Sequence, residues 1–218
     1  SLLSDISHQT KTPIANLKML NETMLTRSIT REQRKTFLQA TGSQLDKLDF
    51  LIQAMVKTSR LESGAIALEK KNAPIEDALA AAINGILALM EKKNITLTVN
   101  CPEGLTVFHD SRWTSEALFN LLDNAVKYTP AGGSMGVDVQ DWEMYLKIDV
   151  TDTGRGIPER EQAAIFKRFY REESVHDVDG IGIGLYLARE IITMQGGYIT
   201  VTSEVGKGST FSAFLPRK

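Results

Sequence analysis

Ser115-Glu116-Ala117-Leu118-Phe119-Asn120-Leu121-Leu122-Asp123-Asn124-Ala125-Val126-Lys127-Tyr128 decides how the rest of the chain is read. Asn120, Asn124 and Lys127 recur at spacings of four and three, which puts them on one face of a helix, with Glu116 on the same arc. Leu118, Leu121, Leu122 and Ala125 fall toward the opposite side and are expected to pack on a sheet. A face with two carboxamides and a lysine can hold a hydrated cation and phosphate oxygens, because Mg²⁺ keeps several waters and needs few protein ligands. Taken alone, such a face is more often an ordinary solvated surface. The helix is expected over about Ser111 to Tyr128.

Downstream, glycine is unevenly placed. Nine of the 16 glycines fall in the last third (Gly154, Gly156, Gly180, Gly182, Gly184, Gly196, Gly197, Gly206 and Gly208), and only Gly42 precedes residue 64. Asp152-Thr153-Gly154-Arg155-Gly156-Ile157-Pro158 follows an expected strand, and a carboxylate there suits an exocyclic amine while backbone packs on a base; a plain turn reads equally well. Gly180-Ile181-Gly182-Ile183-Gly184-Leu185 opens a helix, where glycines and free amides admit phosphates. It is neither a dinucleotide fingerprint nor a P-loop. The charged stretch before it, 172–179, suits a mobile lid. Gly206-Lys207-Gly208-Ser209-Thr210 alone is a hairpin turn.

Together these blocks, in this order, resemble the ATP-binding domain of sensor histidine kinases, within the GHKL ATPase superfamily. Phe119 to Tyr128 resembles the asparagine box, Asp152 to Gly156 the first glycine box, Ile165 to Arg171 the phenylalanine box, and Gly180 to Leu185 and Gly206 to Phe211 the remaining glycine boxes. The resemblance implies ATP and Mg²⁺, with Asn124 as metal ligand and Asn120 beside it. Lys127 and Arg171 would contact phosphates, Asp152 would read the adenine amine, and Tyr128 would line the nucleotide. Gly182 and Gly184 would lie under the phosphates and Thr210 near the base. Gly154, Gly156, Ile157, Phe169, Gly180, Ile183 and Leu185 complete the implied nucleotide site.

Upstream, the first ~62 residues read as two helices. Apolar or small residues recur at Ile6, Thr10, Pro13, Leu17, Leu20 and Met24, and again at Leu38, Thr41, Leu45, Leu48, Ile52 and Met55, a 3.5-residue seam flanked by Phe37 and Leu51. Thr30 with Gln33 has capping-box spacing. Two such helices cannot enclose their own seam, and a symmetric dimer forming a four-helix bundle is the simplest solution. Ser7-His8-Gln9-Thr10-Lys11-Thr12-Pro13 resembles the family's phosphoacceptor box, with His8 off the seam and Pro13 expected to kink the helix beyond it. The resemblance makes His8 the phosphoacceptor and a response regulator's receiver domain the partner. Gln9 stands where the family's usual residue is acidic. Thr12, four residues after His8, matches the position that orients water in dephosphorylating the partner. His109 and His176 read as surface or loop residues.

The expected organisation is a helical hairpin over 1–62, a linker over 63–73 and an ATP-binding unit over 74–218, an α+β chain whose second unit layers helices on one face of a mixed sheet. Ile66 to Glu69 alternates like a strand, Ala78 to Met90 reads as one buried helix behind Pro74, and Ile95 to Val99 reads as a strand. So do two antiparallel segments within Ser134 to Val150, Tyr198 to Ser203 and Ser209 to Leu215. Bulk properties exclude several classes. The chain of 218 residues, 42% hydrophobic and 24% charged, is ordinary globular protein. A net charge of −2 gives no case for nucleic acid. One cysteine excludes a disulfide framework. No apolar run reaches a membrane span, and the start at Ser1 reads as an excised fragment. The expectation is the cytoplasmic portion of a membrane-bound bacterial sensor, attached through segments outside this sequence.

Overall fold

The computed structural model describes residues 2–64, 66–171, 180 and 182–217, with side chains from residue 9 onward. The chain divides into two compact units, Ser1–Ala65 and Ile66–Lys218. The first is an antiparallel hairpin of α1 (Leu2–Thr26) and α2 (Arg31–Glu62). Helix α1 runs through Pro13 without ending. The capping box forms: Gln33 N donates to Thr30 Oγ1 at 3.2 Å and Thr30 N donates to Gln33 Oε1 at 2.9 Å. Leu51, Ala54, Thr58 and Leu61 of α2 are buried, whereas Leu38, Leu45 and Ile52, each seven residues from the next, are 57%, 54% and 55% exposed.

The second unit begins with β1 (Lys71–Pro74), α3 (Ile75–Asn84), α4 (Leu87–Lys93), β2 (Thr96–Asn100), β3 (Thr106–His109) and α5 (Ser111–Tyr128). It continues with β4 (Ser134–Asp141), β5 (Tyr145–Asp152), a short α6 (Glu159–Gln162), a 3₁₀ turn (Ala164–Phe166), α7 (Gly184–Met194), β6 (Tyr198–Glu204) and β7 (Gly208–Pro216). The main sheet has the order β2-β4-β5-β7-β6, with β2 parallel to β4 and every other neighbour antiparallel. It is therefore mixed, as expected for an α+β unit. One sheet face carries the buried side chains of Val137, Val139, Leu146, Ile148, Val150, Phe211, Ala213 and Leu215. Helices α5 and α7 pack on it through Leu118, Leu121, Leu122, Leu187, Ile191 and Ile192, all nearly inaccessible. Burying a Leu or Ile completely contributes about 1.5–3 kcal/mol, so this layer is the unit's main source of stability.

Three expectations change. Ile66 to Glu69 alternates but is not a strand; the strand is Lys71–Pro74, paired antiparallel with β3 in a separate two-stranded ribbon. The expected single helix from Ala78 to Met90 breaks at Gly85. The ring of Phe119 from α5 sits where a side chain at 85 would project, its atoms 2.8 Å from an ideal Cβ. His109 is not a surface residue: it is fully buried at the end of β3, with Nδ1 2.9 Å from Thr114 Oγ1. His176 and the stretch 172–179 lie outside the described residues, as does the His8 side chain.

Candidate functional site

Helix α5 presents Asn120, Asn124, Lys127 and Tyr128 on one half-exposed side while Leu118, Leu121, Leu122 and Ala125 are buried on the other. Asp110 caps its start, accepting from Trp113 N at 3.1 Å. Its end is held by Lys93, unmarked by any motif, whose Nζ donates to the carbonyls of Val126, Lys127 and Thr129 at 2.7, 2.8 and 2.9 Å. Carbonyls at a helix C-terminus lack intrahelical donors and carry partial negative charge, so an ammonium there satisfies three at once. Asn120 Nδ2 donates to Glu116 O at 2.7 Å. Its Oδ1 faces the start of α7, 3.0 Å from where a Cβ on Gly184 would sit. Asn124 is half-buried within α5, and among the described residues its side-chain amide has no hydrogen-bond partner. No group of three His, Cys, Asp or Glu side chains suited to a metal exists among those residues. Mg²⁺ fits a donor set of one amide oxygen, phosphate oxygens and water. Lys127 is paired with Asp123 at 2.6 Å across one helical turn.

Asp152 ends β5 beside this helix and is 4% exposed. Its Oδ1 accepts from Gly154 N at 2.8 Å. Burial raises its carboxyl above the ordinary carboxylate range, against the pull of the Gly154 and Ser209 amides. Several glycines mark where one motif's backbone meets another's. A Cβ at Gly154 would stand 2.6 Å from both Asp152 Oδ1 and Tyr128 O. One at Gly156, where φ is +72°, would overlap the Glu204 carbonyl, and one at Gly208 would overlap the Asp152 carbonyl. Gly182, at φ +76°, lies against Tyr170 O, with room for no side chain. Phe169 N donates to Gly182 O at 2.8 Å, and Phe169 adopts φ +59°, which a bulky aromatic rarely does. The asparagine, phenylalanine and three glycine motifs thus converge pairwise: on Asn120 with Gly184, Tyr128 with Gly154, Phe169 with Gly182, and Asp152 with Gly208.

Among the other residues expected to line a nucleotide, Ile183 is buried; Leu185 and Ile157 are half-buried, while Gly180 is exposed. Ile157 N donates to Ser203 Oγ at 2.8 Å, and Ser203 in turn bonds Gly208 O and Ser209 Oγ, both at 2.9 Å. Arg171 is half-buried beside Tyr170 in sequence. Thr210 departs from expectation. Adjacent strand residues face opposite sides, and its Oγ1 lies 3.1 Å from that of Thr151 on the outer face, away from Asp152. Ser209, directly across from Asp152 in the ladder, stands on the carboxylate's side. In the other unit, Gln9 is half-buried and Thr12 exposed on α1.

Comparison with known proteins agrees with this convergence. Residues 109–218 match the family described as histidine kinase-, DNA gyrase B- and HSP90-like ATPase. The chain belongs to this ATPase family. Residues 1–64 match the His Kinase A (phospho-acceptor) domain, so hairpin and ATPase unit together form the catalytic core of a sensor histidine kinase. An adaptive-response sensory kinase SasA from a Synechococcus strain is 31% identical over 220 residues, covering 99% of this chain and 58% of that protein. The sensor-like histidine kinase SenX3 of Mycobacterium tuberculosis is 26% identical over 98% of this chain and 53% of that protein. The chain thus spans little more than half the length of these relatives. Among solved structures, the Acinetobacter baumannii histidine kinase AdeS superposes with a TM-score of 0.77 at 19% identity, covering 97% of this chain and 98% of that one. Histidine kinase ThkA, in complex with response regulator protein TrrA, gives 0.81 at 21% identity, covering 99% of this chain and 61% of that one. At those identities the likeness shows the shared fold. No helix among the described residues of this histidine kinase core is long and apolar enough to cross a membrane.

Proposed function

We propose that this chain transfers the γ-phosphoryl group of ATP to His8, and that the phosphoryl group then passes to an aspartate of a response regulator's receiver domain. The observation that carries the reading is the convergence of five separated motifs around Asn120, Tyr128, Asp152 and the N-terminus of α7, within a chain that also holds a phosphoacceptor hairpin. A nitrogen of the neutral His8 imidazole attacks the γ-phosphorus. The bond from phosphorus to the β,γ-bridging oxygen breaks, ADP leaves with that electron pair, and the other ring nitrogen gives up its N–H proton to solvent water. Such transfers depend mostly on positioning and on neutralising charge. Mg²⁺, held on Asn124 with its waters, would supply part of that neutralisation; Asn120 keeps the neighbouring oxygen oriented toward α7. Lys127 and Arg171 supply cationic groups for the phosphates, with Lys127 exchanging Asp123 for phosphate. Asp152 accepts from the adenine amine, and Tyr128 and Phe169 flank the nucleotide.

The seven-residue repeat of exposed Leu38, Leu45 and Ile52 supports a homodimer in which a second hairpin covers this stripe as a four-helix bundle. The boundaries 1–62, 63–73 and 74–218 belong to this reading, as do the bacterial cytoplasm, where ATP is available, and a membrane-bound parent attached outside these residues. Gln9 adds no negative charge beside His8, so Gln9→Glu is expected to speed autophosphorylation. Thr12 is proposed to orient water when the receiver is dephosphorylated. The nucleotide site is tested by titrating Mg²⁺ against ATP affinity: the wild-type chain binds ATP more tightly as Mg²⁺ is added, and Asn124→Ala loses that response. A variant that keeps the full Mg²⁺ response removes Asn124 from the site.

A further inference from the structure

The N-terminus of α5 sits in a buried polar knot at the opposite end of the helix from Lys127. Asp110, 6% exposed, uses every polar atom it can offer there. Its backbone N–H donates to Gln195 Oε1 at 2.8 Å, at the C-cap of α7, and Gln195 Nε2 donates to Thr114 Oγ1 at 3.1 Å. One carboxylate oxygen caps α5. The other accepts from Glu69 N at 2.8 Å, across 41 positions of sequence. The ladder explains why a side chain is needed. Strand β1 pairs with β3 only as far as Lys71 opposite His109, because beyond His109 the chain turns into α5. The next inward donor on the entering segment, Glu69 N, therefore has no strand carbonyl opposite it, and a backbone donor left unpaired is costly. Asp110 continues the ladder with its side chain.

We infer that Asp110 is a positioning residue for phosphoryl transfer, making the segment that leads from the hairpin into the ATPase unit and the helix bearing Asn120 and Asn124 one rigid piece. The inference rests on the proposed transfer to His8. Two effects can be separated by size. Freeing Glu69 leaves Lys71, where β1 begins, as the next paired backbone position, lengthening the connection from α2 by two residues. Effective concentration falls roughly as the −3/2 power of tether length, so this slack alone lowers the transfer rate only about 1.5-fold. Losing the fixed direction of the entering segment at the start of α5 costs more, since transfer demands alignment of the reacting atoms.

Asp110→Ser tests this, because serine caps a helix about as well as aspartate but is too short to reach Glu69 N as well. In the full chain, autophosphorylation at saturating ATP is expected to fall at least threefold. KM for ATP and the nucleotide Kd stay within twofold, and amide exchange at Glu69 accelerates. A loss of about 1.5-fold or less with faster Glu69 exchange overturns the inference, leaving only slack. A parallel loss of ATP affinity, rate and Tm also overturns it, leaving only an ordinary cap. If Asp110→Ser does not fold, Asp110→Asn, which can offer the cap an oxygen and Glu69 only an NH₂, is read by the same criteria. If wild type itself fails to label His8, the phosphorylation reading falls and exchange alone decides the coupling. ATP binding should then slow Glu69 exchange in wild type and not in the variant; an equal response in both overturns it.

Discussion

Replacing Asp152 by asparagine exchanges one carboxylate oxygen for an NH₂ in a side chain that is only 4% exposed. The surroundings set opposite consequences for binding and for stability. The amide can keep its oxygen toward Gly154 N, 2.8 Å away in the wild type, so the local turn survives. The charge disappears. Because burial raises the Asp152 carboxyl, the folded state holds its proton more tightly than the unfolded chain does. Above that raised value the ionised group therefore costs stability, and a neutral amide removes the cost. The variant should melt at pH 7 no lower than the wild type. Nucleotide affinity should move the other way. An adenine amine bonded to a carboxylate is a charge-assisted interaction of about 1.5–3 kcal/mol, so its loss corresponds to an increase in Kd of roughly 10- to 150-fold. Displacement of a fluorescent ATP analogue and a thermal melt on the same samples measure both. The wild type should also lose affinity as pH falls through the raised carboxyl value, where the variant stays flat. A Kd within threefold of wild type, or a drop of several degrees in Tm accompanying any loss of binding, would refute the assignment of Asp152 as a base-reading carboxylate.

Four further outcomes follow from contacts elsewhere in the chain. Lys93→Met strips the donor from three carbonyls at the end of α5, and urea unfolding should register a loss of about 2–3 kcal/mol. Burial lowers the His109 imidazole below its ordinary 6.5, so the unfolded chain binds its proton more readily; this part of the stability is present above about pH 6.5 and lost on acidification. A His109→Gln variant should show a shallower decline of Tm between pH 7 and 5.5, and equal slopes would contradict this. Gly154→Ala forces a methyl against Asp152 and Tyr128 and should cost about 1–3 kcal/mol. Gly42→Ala, with nothing within 4 Å in mid-helix, should instead stabilise by up to about 1 kcal/mol.

What the sequence disclosed and what it hid have separate physical causes. Helix α5 was legible from end to end because its three-four spacing, its polar face and its apolar face all say the same thing. The hairpin turn was legible because Thr30 and Gln33 are local partners. Strands β1 and β3 were not: each has four residues, and they pair across more than thirty positions, so the partner rather than the alternation of Ile66 to Glu69 decides where the strand lies. The need for glycine at the break, Gly85, comes from Phe119, a ring delivered by another helix into the space a side chain there would fill. The site shows the same division. Asn120, Asn124, Asp152 and the glycines carry recognisable spacing, and the fold brings them together. Ser209 and Thr210 are indistinguishable by type, and only strand register puts Ser209 on the side of Asp152. Lys93 and Asp110 act through backbone groups of remote segments, which no local spacing encodes.

Transfer of the γ-phosphoryl group from ATP to His8 can be measured directly. The chain, incubated with Mg²⁺ and ATP carrying a labelled γ-phosphate, should acquire label that survives base, is lost in acid and is absent from His8→Ala, with ATP affinity unchanged in that variant. Label that persists in His8→Ala, or that resists acid, would contradict the account.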